Sequence, residues 1–129
     1  MIKKYLLKIS VIITILIILI CIIFNSINNL KEANDNKYYH KQEEKMLEAS
    51  KEYFLNNKDY LPREINNNTR VVLNALVKEG YLKMIKDINN FNCDSYKSYV
   101  EVEKIKEDKY LYKAHLVCDK SDYITKEKK

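Results

Sequence analysis

Glycine and proline each occur once in this chain of 129 residues, tryptophan is absent, and there are two histidines and three cysteines. A single glycine excludes every site whose backbone is built from glycines: the phosphate-cradling loop, the dinucleotide turn and the nucleophile elbow. Two histidines in different parts of the chain leave no obvious general base, and Ser95 and Ser98 have none near them in sequence. The acid pairs Glu43-Glu44 and Glu107-Asp108, together with Asp94, read as solvated helix or turn charges. No catalytic constellation follows from these residues, so the chain is expected not to be an enzyme and to need no metal or cofactor.

The hydrophobic residues, 47% overall, are unevenly placed. Residues 1–24 contain 19 of them, with three lysines and no acid. From Ile9 to Phe24 the only polar side chains are Ser10 and Thr14, and extension back to Tyr5 is interrupted only by Lys8. Twenty helical residues rise about 30 Å, the thickness of a bilayer's hydrocarbon core, and Lys8 is near enough to the end to snorkel. The residues around Phe24-Asn25-Ser26 lack the small pair of a signal cleavage site, which predicts an uncleaved anchor. Cys21, preceded by Ile18, Leu19 and Ile20, reads as a membrane-buried thiol rather than a lipid attachment site.

Lys3, Lys4 and Lys8 precede the span and no base follows until Lys31, so the N-terminus is expected in the cytoplasm and residues 25–129 outside. Removing those lysines from the 23 bases leaves 20 against 18 acids, a net of +2. Residues 126–129 supply that +2 as a basic tail. The rest carries no clustered basic face, so a direct nucleic-acid partner is not expected; the lipid bilayer is. The organisation predicted is a cytoplasmic and membrane segment at 1–24, a stalk or linker at 25–40, a folded exterior domain at 41–125 and the tail at 126–129.

Tyr39, Glu43, Met46, Leu47, Ser50, Tyr53 and Phe54 recur at the i, i+3, i+4 and i+7 spacing of an amphipathic helix. Asn56 to Asp59 end it, and Pro62 holds Leu61 extended. After the Asn66-Asn67-Asn68 loop, Thr69 is the expected N-cap of a second helix over Arg70–Glu79, with Val72, Leu73, Leu76 and Val77 as its apolar stripe and Gly80 as its C-cap. Tyr99–Ile105 and Tyr110–Cys118 alternate as strands of a hairpin around the polar turn Lys106–Lys109, and Tyr123, Ile124 and Thr125 read as a short edge strand.

Cys93 and Cys118 form an even pair in an oxidising exterior, and a bridge between them would enclose the hairpin. Closing such a loop contributes roughly 3 kcal/mol by the chain-entropy argument. The competing metal site, His115 with both thiols, is disfavoured because His115 and Cys118 differ by three positions on an extended strand and face opposite ways.

The hydrophobic N-terminal helix, its exterior continuation, and then Tyr60-Leu61-Pro62, Val72-Leu73-Asn74-Ala75-Leu76, Gly80-Tyr81-Leu82, Cys93, Ser98-Tyr99-Val100-Glu101-Val102, Tyr110-Leu111-Tyr112, Leu116-Val117-Cys118 and Tyr123-Ile124-Thr125 resemble the type IV pilin-like and pseudopilin-like proteins of Gram-positive bacteria. The likeness runs from about Lys41 to Thr125. It implies an α+β fold, an N-terminal transmembrane helix followed by a helix and a shorter helix packed on a small antiparallel sheet. It also implies a role in a type IV pilus, competence or type II secretion-like system, with other pilin-like or secretion-system proteins as partners. The family's processing signal, a glycine before a phenylalanine and a glutamate within the apolar run, is absent from Lys3-Lys4-Tyr5-Leu6-Leu7-Lys8 and the span beyond, so a permanent anchor is expected. The alternative is an extracytoplasmic binding or sensory module, with Tyr96, Tyr99, Tyr110, Tyr112 and Tyr123 as a contact surface for a peptide or glycan.

Overall fold

The structure is a computed structural model and describes residues 1–126. Two compact units are present, the first ending at Lys37 and the second beginning at Tyr38. One helix, α1 (Ile2–Asn56), supplies the whole of the first unit and the opening element of the second.

The first unit is a helix that no described residue covers. Its large apolar side chains from Ile9 to Phe24 are each 48–66% exposed, and the segment is long and apolar enough to cross a membrane. A water-facing helix could not carry apolar residues on every side, whereas hydrocarbon favours them. Two hydroxyls along it bond within the helix: that of Thr14 donates to the Ser10 carbonyl at 2.9 Å and that of Ser26 to the Ile22 carbonyl at 3.0 Å.

The second unit is mixed α and β. After α1, a turn of 3₁₀ helix (Lys58–Tyr60) leads through an extended Leu61, as Pro62 requires, to β1 (Asn68–Val72) and α2 (Leu73–Lys78). A loop over residues 79–98 then precedes β2 (Tyr99–Lys106), β3 (Lys109–His115), β4 (Val117–Cys118), a second 3₁₀ turn (Asp119–Ser121) and β5 (Tyr123–Ile124). β1, β2 and β3 form an antiparallel sheet in that order, and β4 and β5 form a second antiparallel pair. Val71, Val100 and Ala114 are cross-strand neighbours, as are Thr69, Val102 and Tyr112 in the next row. Val71, Val100 and Val102 are buried there with Met46 and Phe54 of α1 and Leu73 and Leu76 of α2. A long apolar N-terminal helix followed by a small antiparallel sheet is, in general, a pilin-like architecture.

Three expectations about the elements require correction. The second helix does not begin at Arg70: residues 68–72 pair with β2, α2 starts at Leu73, and Val72, not Thr69, occupies its N-cap without a side-chain bond. Thr69, Val71 and Val72 are β-branched, which suits a strand, and Val71 is buried where it pairs with Val100. Nor is Tyr110–Cys118 one strand. It breaks at Leu116, and Leu116, Val117 and Cys118 are all buried, so the alternation ends there. The turn of the hairpin narrows to Glu107-Asp108, with Asp108 in the left-handed region (φ +58°) and a bulge between Lys104 and Lys106. Of the basic tail, residues 127–129 lie outside the described residues.

Candidate functional site

The amphipathic stripe of α1 contains one charge where an apolar residue would be expected. Glu43, read from sequence as a solvated helix acid, is buried, while its neighbour Glu44 is exposed. Burial of a carboxylate requires hydrogen bonds, and the C-terminal segment provides them. The Tyr123 hydroxyl donates a short bond to Glu43 Oε1, and the Thr125 hydroxyl donates to the same oxygen at 2.8 Å. His40 Nδ1 stands 3.3 Å from Oε2.

One turn earlier on the helix, the Tyr39 ring stacks on Tyr123, with centroids 3.8 Å apart and planes 11° from parallel. The Tyr39 hydroxyl donates to Ser121 Oγ at 2.8 Å, and Ser121 Oγ donates to the Cys118 carbonyl at 3.3 Å. Thr125 is bonded on its other side by the Leu116 N–H, at 2.7 Å. That N–H occupies the hydroxyl as acceptor and leaves its proton for the carboxylate. Burial first, then the hydrogen bond to Glu43, pushes the Tyr123 hydroxyl well above the ordinary tyrosine range. The group acts as a clasp: two turns of α1 hold β5 and the 3₁₀ turn before it.

Behind this clasp the 79–98 loop is fixed without regular structure. Cys93 and Cys118 are joined by a disulfide across 25 residues, and both are buried. Asp87, itself buried, accepts the N–H groups of Asn89 and Phe91, each at 2.9 Å. Asp94 accepts those of Tyr96 at 3.0 Å and Lys97 at 2.9 Å, and the Lys97 N–H, aided by the others, holds its carboxyl below the usual range. The Tyr38 hydroxyl reaches the Lys86 carbonyl at 2.7 Å. Gly80 follows α2 at φ +81°, and the Tyr81 N–H returns to the Leu76 carbonyl at 2.9 Å, closing the helix end.

The five tyrosines named as a contact surface are dispersed. Tyr96 is 72% exposed on the loop. Tyr110, Tyr112 and Tyr123 pack against the core. Tyr99 is on the opposite face of the sheet from Tyr110 and Tyr112, stacked on His115 at 4.8 Å with the Arg70 guanidinium 4.3 Å over its ring and Arg70 bonded to Glu101 at 3.5 Å. Tyrosine abundance in the sequence gave no sign of this division. Glu43 does carry a signal in the sequence, since a carboxylate inside an apolar stripe demands a buried partner. Its donors lie 80 and 82 residues further on, a distance no local pattern bridges.

Among the described residues no group of histidine, cysteine and acidic side chains is arranged to hold a metal ion. The chain matches no protein-family model, no curated protein and no solved structure.

Proposed function

We propose that the chain is a single-pass membrane protein whose second unit stands outside the cell and works by protein–protein contact, as a minor component of a type IV pilus, competence or type II secretion-like system. The observation that carries this reading is the pairing of two incompatible environments in one chain. The first unit exposes only apolar side chains over Ile9–Phe24 apart from Ser10, Thr14 and Cys21, which suits lipid, and the second contains a disulfide, which suits an oxidising compartment. Lys3, Lys4 and Lys8 at one end of the span favour a cytoplasmic N-terminus. The polar interior is committed to holding strands and loops together, which favours a scaffold over a catalyst.

The test is protease access in intact cells to an epitope fused after Lys129, followed by crosslinking and identification of what co-purifies. An epitope cleaved from outside, with pilin-like or secretion-apparatus proteins captured, supports the reading. A protected epitope overturns the orientation, and capture of none of those proteins overturns the assembly role.

A further inference from the structure

The β1-β2-β3 sheet ends in β3, which pairs with β2 on one side only. Just beyond β3, the free side is already in use. The Leu116 N–H donates to Thr125 Oγ1 at 2.7 Å and the Leu116 carbonyl accepts from the Thr125 N–H at 3.0 Å. Val117 turns its backbone the other way, donating to Ser98 Oγ at 2.9 Å and accepting from the Asp94 N–H at 2.8 Å. Backbone groups alternate between the two edges of a strand, so Ala114, Tyr112 and Tyr110 direct theirs to the same side as Leu116. Outside the β2–β3 ladder no described residue is hydrogen-bonded to them. The paired part of β5 covers only Val117 and Cys118, and it occupies the line that a longer added strand would follow.

β3 itself carries charge of one sign only, the acids nearby being Glu107 and Asp108 in the turn before it and Glu103 across from Leu111. Lys109 and Lys113 are exposed on β3, Lys109 is the cross-strand neighbour of Lys106, and none of these lysines has an ion-pair partner among the described residues. Glu101, opposite Lys113, is engaged by Arg70. A lysine-studded edge repels a second copy of itself and favours a strand bearing carboxylates. The inner face of β3 is closed by Tyr110, Tyr112 and Ala114 packed on the core, so approach along the edge disturbs no buried contact.

We propose that the free edge of β3 receives an extended acidic segment of a partner protein as an additional strand. Its main chain bonds to Tyr110, Tyr112 and Ala114, and its alternate carboxylates face Lys109 and Lys113. This surface goes beyond the proposed role and does not depend on which assembly the chain joins.

The probe is a fluorescent, end-blocked peptide of alternating glutamate and valine, about nine residues long, titrated by anisotropy against the full chain in phosphatidylcholine nanodiscs. Saturable binding is expected, together with loss of about tenfold or more in affinity when the peptide is N-methylated at alternate residues along one edge, and when Lys109→Glu and Lys113→Glu are combined. The unchanged chain serves for the N-methylated arm, so misfolding of the variant cannot imitate the result. Absence of saturation up to about 1 mM, equal binding of the N-methylated peptide, or equal binding of a lysine–valine peptide overturns the proposal.

Discussion

Replacing Glu43 by glutamine tests whether the clasp on β5 depends on charge or merely on shape. The carboxylate accepts from the hydroxyls of Tyr123 and Thr125 through one oxygen, in a place where Glu43 is only 8% exposed. Hydrogen bonds to a charged acceptor contribute about 1.5–3 kcal/mol each and neutral ones about 0.5–1.5, so the amide, which keeps the shape, should lose about 1 kcal/mol per bond, or about 2 in all. For a folded unit of roughly 90 residues that corresponds to a fall in Tm of about 8–16 °C. Glu43→Ala strands both hydroxyls and should cost about 4 kcal/mol. The assay is thermal unfolding of the full chain in nanodiscs, followed by the near-ultraviolet circular dichroism of the tyrosines. Tyr123→Phe keeps the ring stacked on Tyr39 and removes only the donor, so its loss and that of Glu43→Gln should fail to add, by about 1 kcal/mol. Additive losses, or a Glu43→Gln variant melting within about 2 °C of the parent, would refute the claim that the carboxylate is the anchor.

The disulfide spans 25 residues, and on the chain-entropy argument its removal in Cys93→Ala/Cys118→Ala should cost about 3.5 kcal/mol, visible as a drop in Tm of about 14–28 °C and absent when the parent is already reduced. Gly80→Val places a β-branched residue at φ +81° where no atom lies within 4 Å of the added Cβ, so the loss of about 1–2 kcal/mol is purely conformational and Gly80→Asn should recover most of it in the same melt. Burial raises Tyr38, Tyr53, Tyr112 and, with help from Glu43, Tyr123 above the ordinary value. An acid whose folded pKa is raised stabilises fully below its unfolded value of about 10 and loses that contribution as pH rises further, so Tm should fall above about pH 10 and fall less steeply in Tyr123→Phe.

These perturbations converge on one difficulty of a small unit. The loop over residues 79–98 contains neither a regular helix nor a strand, and a stretch of that length would ordinarily be expensive in chain entropy. Its anchors are few and buried: Cys93 by the disulfide and by the Ile85 carbonyl at 2.9 Å, Asp87 through two backbone N–H groups, and Ile85 in the core. The C-terminal segment has the same economy, with Tyr123 and Thr125 returning to α1. Both rely on polar groups whose burial is tolerated only because each is bonded, and among the described residues no buried side-chain nitrogen or oxygen lacks a partner.

What could be read from the sequence divides along the range of the forces involved. The apolar run of the first 24 residues, the Tyr39–Phe54 stripe, the extended Leu61 before Pro62, the Val100/Val102 alternation and the glycine past α2 are set by neighbours within a turn or a strand, and local spacing was enough to place them. The helix expected at Arg70 failed because Thr69 and Val71 had two compatible local futures, and the choice was made by Val100, 29 positions away in register. The unbroken strand expected over Tyr110–Cys118 failed in the same way, since Thr125 and Ser98 claim opposite sides of consecutive residues at Leu116 and Val117. Glu43 is the instructive case between the two. Its position in the stripe was legible and its chemistry was wrong for that position, so the contradiction itself pointed to a distant hydroxyl partner. In a chain with so little glycine, such local contradictions are where the tertiary structure first becomes visible.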